Sequence, residues 1–273
     1  MLTSHFTVGA VTIIPLSDGD FALPATRVFS STREEDWSPY REFLTADGQL
    51  PLNIGAFLLN EAGEWTLVDT GYGGRGGPGG KLPGEIEKVG VRPEQIRRVI
   101  ITHLHSDHIG WNTVDRDGRA EVLFKNARHI LQRREWEYYT QPDVLAQNPA
   151  VETCVKPVEA AGLLELIDGD AVITTSVSAL LTPGHTPGHQ SLLINSGNEK
   201  AIITGDVTHT PVQIAQPEWS PTFDHDPEES ARTRLALFAR IEQEGLRVCA
   251  GHYRYPSIGN IVRVEGKRVW TWL

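Results

Sequence analysis

The residues best suited to chemistry stand close together near the middle of the chain, in the run Thr-His-Leu-His-Ser-Asp-His-Ile-Gly over residues 102–110. His103, His105, Asp107 and His108 place three imidazoles and a carboxylate within six residues. A borderline metal ion such as zinc prefers such ligands. A single histidine in a loop would be interpreted as an incidental polar residue. This ordered cluster instead predicts a metal site.

The element that must position these side chains is a strand. The apolar run Val-Ile-Ile at residues 99–101 directly precedes the cluster. Side chains two apart at the end of a strand point to the same side, so His103 and His105 are expected to face one space. The chain then turns, and Asp107 and His108 can reach that space from the loop.

The cluster resembles the HxHxDH signature of the metallo-β-lactamase superfamily, and the resemblance covers residues 54–252. Further motifs of the family follow in the same order, and these are LVDTG at 67–71, TPGHTPGH at 182–189, TGD at 204–206 and GH at 251–252. The resemblance implies a fold of the α/β class, an αββα sandwich of two mixed β-sheets flanked by helices.

The resemblance also implies two divalent metal ions per chain, with zinc as the first choice and manganese, cobalt or iron as alternatives. Carried over position by position, the implied ligands are His103, His105 and His185 for one ion, Asp107, His108 and His252 for the other, and Asp206 as a bridge. Such a pair of ions would activate a bridging hydroxide as the nucleophile. Asp69 is expected to orient a ligand imidazole, and His189 to pack beside the ligands.

The segment after the implied bridge resembles the branch that contains N-acyl homoserine lactonases and methyl parathion hydrolase-like phosphotriesterases. Several lactonases have a tyrosine three residues after the bridging aspartate, where this chain has His209, as the parathion hydrolase-like members do. The prediction is a hydrolase of lactones or related esters with a phosphotriesterase side activity. Asp107 would pass a proton to the leaving alkoxide and His209 would donate a hydrogen bond to the substrate. Trp111, Trp219 and Phe223 would line an apolar pocket.

Four alternatives stay open. They are phosphotriester hydrolysis as the main activity, a glyoxalase II-like thioesterase, an iron-dependent persulfide dioxygenase with a single iron, and a metal-binding protein without catalysis. True β-lactam hydrolysis is disfavoured, because the zinc β-lactamases generally lack an aspartate at the position of Asp206.

Strand-like apolar runs occur in both halves of the chain, and helices are expected at 84–89, through most of 133–162, and after Asp226. The last of these helices is expected to begin at Asp226, because Pro227 and Glu229 follow it at the spacing of a helix start. It is expected to end at Gly245. No linker is evident, so residues 1–273 are expected to form one domain. Residues 20–50 are predicted to form a lid or an interface arm, and the glycine-rich residues 71–84 a mobile loop.

The composition of this 273-residue chain restricts the kinds of partner that it is expected to bind. Its net charge of −10 argues against nucleic acid, which requires a basic surface. Its apolar runs are too short for a membrane helix, and the N-terminus does not resemble a signal peptide, so a cytoplasmic protein is expected. The predicted partner is a small-molecule substrate, and a homodimer stays open.

Overall fold

The computed structural model describes residues 5–74 and 76–273. Residues 1–4 belong to the N-terminus from which a cytoplasmic location was predicted, and Arg75 belongs to the predicted mobile loop. Both lie outside the described residues.

The strands are short apart from two long ones near the N-terminus. Those of the first half are β1 (Phe6–Val8), β2 (Val11–Pro24), β3 (Gln49–Glu61), β4 (Glu64–Val68), β5 (Ile96–Ile100), β6 (Thr113–Arg116), β7 (Arg119–Val122) and β8 (Arg128–Gln132). Those of the second half are β9 (Leu164–Ile167), β10 (Ala171–Val172), β11 (Val177–Leu181), β12 (Gln190–Ser196), β13 (Glu199–Ile203), β14 (Arg247–Cys249), β15 (Ile258–Val264) and β16 (Lys267–Trp272).

The helices lie mainly between these strands. They are α1 (Ala25–Val28), α2 (Leu82–Lys88), α3 (Ser106–Ile109), α4 (Arg133–Tyr139), α5 (Pro142–Gln147), α6 (Pro149–Cys154), α7 (Lys156–Ala160), α8 (Val212–Ala215) and α9 (Pro227–Glu244). Short 3₁₀ segments cover Glu34–Phe43, Pro93–Gln95, Gly110–Asn112 and Gly205–Val207.

Two seven-stranded sheets form the centre of the fold. The first has the order β1-β2-β3-β4-β5-β8-β9 and the second runs from β10 to β16 in chain order. Both are mixed, because β4, β5, β8 and β9 pair in parallel, as do β13 and β14, while the remaining pairs in the two sheets are antiparallel.

Apolar side chains of both sheets meet in one buried cluster between them, which includes Phe57 and Ile100 from the first sheet and Leu192 and Ile203 from the second. The outer face of the first sheet packs on helices α2, α4 and α6, and that of the second on α9. These layers are the predicted αββα sandwich, and the fold prediction is confirmed.

Local sequence explains where several of the helices begin and end. The Asp226 side chain accepts a hydrogen bond of 2.8 Å from the backbone N–H of Glu229 at the start of α9, and Gly245 ends the helix with φ +64°. Residues 133–162 are mostly helical, as expected, and they are divided into four short helices because prolines stand in the first turns of α5, α6 and α7. A proline fits the first turn of a helix and interrupts an interior.

Two parts of the chain differ from expectation. Residues 20–50 begin and end in paired strands, which the sequence did not indicate, since Pro24 at the end of β2 pairs with Gln49 at the start of β3. The intervening segment buries Trp37 beside Phe29. Strands β6 to β9 were not predicted. β8 is a central parallel strand covered on both faces, so it lacks the alternation that identifies exposed strands. β6 and β7 form a separate and largely exposed antiparallel pair, and β9 is the edge strand beside β8.

Among the described residues, no helix combines the length and the apolar character that a membrane crossing requires.

Candidate metal centre

The side chains predicted as metal ligands come together at one end of the two sheets. His103 and His105 follow β5, and Asp107 and His108 lie in the short helix α3. The second sheet contributes the other three, and these are His185 after β11, Asp206 after β13 and His252 after β14. Strands from both sheets therefore converge on a single group of polar residues, all buried except His105 and Asp107, which are half-buried.

Three imidazoles form the first group. Nε2 of His103 lies 3.1 Å from Nδ1 of His105, and Nε2 of His185 lies 2.9 Å from the same atom. A tetrahedral zinc ion with bonds of 2.0–2.1 Å would separate its nitrogen ligands by about 3.3 Å. The three nitrogens are thus close to the spacing that one small cation requires.

Asp107, His108 and His252 form the second group. Oδ2 of Asp107 lies 3.7 Å from Nε2 of each histidine. Nε2 of His108 is buried and has no hydrogen-bond partner among the described residues. A buried imidazole nitrogen without a partner is costly unless it binds a ligand, so this group also suits a cation.

Asp206 lies between the two groups. Its Oδ2 is 2.8 Å from Nε2 of His252, 3.3 Å from that of His185 and 3.4 Å from that of His108. Its Oδ1 is buried without a hydrogen-bond partner in the described part of the chain. Although burial opposes ionisation, the surrounding imidazoles hold the pKa of Asp206 well below its usual range.

The imidazoles divide into two electrostatic classes. Burial and the neighbouring histidines lower the pKa of His103 well below its usual range, and burial lowers that of His105 to about 3. Burial has the same effect on His108, but Asp206, Asp107 and Asp69 outweigh it and raise its pKa well above normal. The site therefore offers neutral nitrogens together with carboxylates that attract a cation, and this donor set fits two divalent metal ions.

Hydrogen-bond partners on the far side of the candidate ligands orient their imidazole rings. Asp69 Oδ2 lies 2.8 Å from Nδ1 of His108, the contact expected of an orienting carboxylate. The backbone carbonyl of Asn53 lies 2.8 Å from Nδ1 of His252. His189 is fully buried, and its Nε2 accepts a hydrogen bond of 2.9 Å from the backbone N–H of Asp206. This contact holds the short 3₁₀ segment that carries Asp206.

Two buried charged residues of this shell were missed from the sequence. Asp224 Oδ1 lies 2.8 Å from Nδ1 of His185, and its Oδ2 lies 3.5 Å from the guanidinium of Arg234. Arg234 is fully buried on α9 and donates to the carbonyl of Val207 at 2.7 Å. The burial of Arg234 could have been predicted from the sequence. It lies at helical spacing among Ser230, Leu237 and Ile241 on the buried face of α9.

Glu135 was missed as well. It is fully buried, and it accepts backbone hydrogen bonds from Leu104 at 2.9 Å and from Gly188 at 2.8 Å. These two segments carry ligands of the first group, so Glu135 joins them from α4. No local pattern around Glu135 distinguishes it from an ordinary helix carboxylate.

A cavity of about 630 Å³ opens onto this centre. Asp107, His209 and Asp206 lie at its polar end, and the apolar part of its wall is formed by Phe21, Leu52, Tyr72, Pro78, Leu104, Ala150 and Phe223. Phe223 thus lies where the sequence predicted it, with its ring 5.1 Å from that of His209.

Trp111 and Trp219 are not among the residues that line this cavity, so their predicted pocket role is wrong. The indole N–H of Trp111 donates to Asp18 at 2.9 Å, and its ring packs against the core on the outer face of the first sheet. Trp219 packs 5.3 Å from Trp37 in a separate aromatic cluster. Sequence order placed both tryptophans near the site, but tertiary packing turned their rings away.

His209 lies closer to the candidate ligands than its predicted role required. Its Nε2 is 3.2 Å from Asp206 Oδ2, and its Nδ1 has no hydrogen-bond partner among the described residues. Its ring stacks on that of His252 at 5.0 Å with an interplanar angle of 14°. His185, Asp206 and His209 form a further group that could hold a cation.

The fold and this arrangement of histidines and aspartates define a known class. The profile of the Metallo-beta-lactamase superfamily matches residues 51–252, and the chain belongs to this superfamily. It is 30% identical over 234 residues to the N-acyl homoserine lactonase AttM of Rhizobium radiobacter, a match that covers 76% of this chain and 83% of the relative. N-acyl homoserine lactonase AiiA of Bacillus thuringiensis subsp. kurstaki is 28% identical over 238 residues, with 80% and 88% covered.

Solved structures agree with this classification. The hydrolase AbOPH of the beta lactamase superfamily superposes with a TM-score of 0.85 at 27% identity, covering 97% of this chain and 95% of its own. AidC, a dizinc quorum-quenching lactonase, has a TM-score of 0.87 at 22% identity, with 98% and 96% covered. At that identity the likeness to AidC concerns the fold alone. The predicted resemblance to the superfamily and to its lactonase branch is confirmed.

Proposed function

We propose that this protein is a dinuclear metal-dependent hydrolase of lactones or related esters. One observation carries the proposal: two groups of candidate metal ligands flank Asp206 at the polar end of a cavity whose wall is largely apolar. The lactonase relatives support the same substrate class.

The proposed ligands are those expected from the sequence, namely His103, His105 and His185 for one ion, Asp107, His108 and His252 for the other, and Asp206 as the bridge. Zinc is the proposed metal because imidazole and carboxylate donors suit it. Two such ions, when bound, supply an activated hydroxide and polarise the carbonyl that it attacks.

The remaining steps fall to side chains that face the cavity. Asp107 is half-buried there, so its carboxylate can take up a proton and pass it to the leaving alkoxide. His209 can donate a hydrogen bond to the substrate from Nε2 or Nδ1. Phe21, Leu52 and Phe223 offer an apolar surface to an acyl chain.

Phosphotriester hydrolysis is the second candidate, as a side activity. The observation that favours it is His209, which stands where several lactonases have a tyrosine. A phosphotriester, like a lactone, is neutral and needs an activated hydroxide and a polarised oxygen. A dianionic phosphate monoester would require an arginine fork, and among the described residues none that lines the cavity is an arginine.

We also propose that residues 20–50 act as a lid or arm over the site. Phe21 lines the main cavity. Glu42 and Phe43 border a smaller cavity of about 200 Å³ on another side of His209 and His252.

The test is a comparison of kcat/KM for a medium-chain lactone, an aryl ester, a phosphotriester, a thioester and an aryl phosphate monoester, with protein reconstituted with zinc. The lactone or ester is expected to be the best substrate. If the monoester exceeded both by more than about tenfold, or about 1.4 kcal/mol in transition-state binding, the proposal would be rejected. A single equivalent of metal with full activity would contradict the dinuclear site.

A further inference from the structure

A buried carboxylate outside the metal centre has no role so far. Asp18 is fully buried in β2, at the point where the pairing of β2 with β3 shifts register between Ser17 and Gly19. Such a bulge redirects a side chain away from its regular position. The Asp18 side chain is directed toward the segment between β4 and α2, here called the glycine loop and defined by its described residues 71–74 and 76–81.

Among the described residues, four backbone N–H groups converge on this carboxylate. Oδ2 accepts from Tyr72 at 2.8 Å and from Gly73 at 3.1 Å. Oδ1 accepts from Gly80 at 3.0 Å and from Leu82 at 2.7 Å. The indole of Trp111 donates to Oδ1 as a fifth group, at 2.9 Å.

This arrangement resembles an anion-binding nest, in which successive backbone N–H groups surround a negative charge. The anion here is the protein's own side chain, so the nest is already filled. Glycines make the approach possible, because a Cβ atom on Gly71 or on Gly79 would lie 2.5 Å from Asp18 Oδ2. Gly71 and Gly79 therefore permit the close contact with Asp18.

The glycine loop connects Asp18 to the proposed active site in two ways. Tyr72 and Pro78 of the loop line the main cavity. At its start, the carbonyl of Gly71 accepts a hydrogen bond of 2.7 Å from the N–H of Gly110, two residues after His108. A change at Asp18 would thus move the cavity wall first and the ligand segment second.

We propose that Asp18 is a positioning residue that fixes the glycine loop as the wall on which the acyl part of the substrate packs. The proposal rests on the proposed function for its substrate, but the contact between Asp18 and the loop is independent of any reaction. Asp18 does not line the cavity, and it acts on the substrate through Tyr72 and Pro78.

Asp18→Asn tests the contact directly. The amide keeps one acceptor oxygen but turns an NH₂ group toward N–H donors, so two or three of the five hydrogen bonds are lost. We expect hydrogen–deuterium exchange in residues 71–82 to become at least tenfold faster. Asp20→Asn is the matched control, because Asp20 is exposed on the same strand and contacts Lys81 only at 3.5 Å. It should leave exchange unchanged.

Kinetics separate positioning from a general structural role. For lactones with a long acyl chain, Asp18→Asn should raise KM about tenfold and change kcat by less than about twofold. For an acetyl chain, KM should change little, because a short chain does not reach Tyr72 and Pro78. Equal losses for both chain lengths, confined to kcat, would overturn the assignment.

Formate provides a rescue experiment. Asp18→Ala leaves space for a free carboxylate, so tens of millimolar formate should restore slow exchange in the loop of Asp18→Ala but not of Asp18→Asn. Wild-type protein in the same formate controls for binding at the metals. If both Asp18 variants fail to fold, Trp111→Phe removes one donor and should accelerate loop exchange severalfold.

The outcomes remain distinct from those of the proposed function. If no lactone is hydrolysed by the wild type, the proposed function fails, and exchange with and without formate still decides the role of Asp18. If lactones are hydrolysed but Asp18→Asn and Asp20→Asn exchange alike, the proposal for Asp18 is wrong.

Discussion

Asp107 is the residue on which metal binding and proton transfer are both proposed to depend. Asp107→Asn keeps the side-chain volume, but the amide binds metal weakly and cannot accept a proton. We expect kcat/KM to fall by about 100-fold or more, with little change in the melting temperature of the chelator-treated protein. Loss of one metal equivalent would identify Asp107 as a ligand. Low turnover with two equivalents still bound would identify it as a proton shuttle.

Asp143→Asn is the matched control for this substitution, since Asp143 is exposed in the first turn of α5. It should behave as the wild type. Wild-type turnover in Asp107→Asn would mean that Asp107 is neither a ligand nor a shuttle.

His209 is proposed to contact the substrate, although its ring also lies within reach of a cation. His209→Phe preserves stacking on His252 and removes both ring nitrogens. We expect kcat/KM to fall about tenfold, the effect of losing one hydrogen bond worth about 1.4 kcal/mol, while two metals stay bound. His225→Phe, at an exposed position, is the control. Loss of metal from His209→Phe would instead make His209 a ligand.

At the scale of elements, α9 supports the centre although it carries none of the proposed ligands. Arg234 links α9 to Asp224 and to the carbonyl of Val207, next to Asp206. Arg234→Met keeps much of the volume but leaves Asp224 without its buried cation. We expect a loss of about 3 kcal/mol in the free energy of unfolding and about tenfold weaker metal binding.

Urea denaturation and metal titration would measure these two quantities. Arg232→Met is the control, because Arg232 is exposed on the same helix and pairs with Glu228 at 3.7 Å. Equal stabilities of the two variants would show that the buried ion pair does not support the site.

Local sequence predicted the first four candidate ligands and the capped helix because their determinants lie within a few residues of one another. The other three, His185, Asp206 and His252, were implied only by the resemblance to the superfamily. His103, His105, Asp107 and His108 share one turn of chain, and Asp226 caps α9 through a residue three positions on. Contacts between distant segments were not predictable in the same way. Asp18 contacts Tyr72 54 positions later, Leu82 64 positions later and Trp111 93 positions later, and no local pattern encodes such contacts.

At the scale of the whole molecule, the stability of the folded protein is expected to depend on pH. His129 is fully buried on β8, and burial lowers its pKa to about 4 from an ordinary 6.5. Below pH 6.5 the unfolded chain binds a proton that the folded chain cannot accept. Stability is therefore expected to fall as the pH drops from 6.5 to about 4, by on the order of 3 kcal/mol from this group.

His129→Leu should remove this part of the pH dependence. The measurement is urea denaturation of chelator-treated protein at several pH values, and His225→Leu is the exposed control. If the difference in stability between wild type and His129→Leu were the same at pH 7 and at pH 4.5, the attribution to His129 would be wrong.

Metal removal should also lower the stability of the whole protein. Ligands that bind only the folded state stabilise it by about 4 kcal/mol when their concentration is a thousand times Kd. For a chain of this size, a chelator is then expected to lower the melting temperature by roughly 10 °C. His103→Ala should show a clearly smaller shift. An unchanged melting temperature in chelated wild type would argue against tightly bound metals.

The division of the proposed ligands between the two sheets has a consequence for how the molecule matures. His103 and Asp107 follow a strand of the first sheet, whereas His185, Asp206 and His252 follow strands of the second. A chain whose halves have docked slightly out of alignment would keep both sheets but separate the donors. Metal uptake would then depend on correct docking of the two sheets, since only molecules with aligned halves would present both groups of proposed ligands.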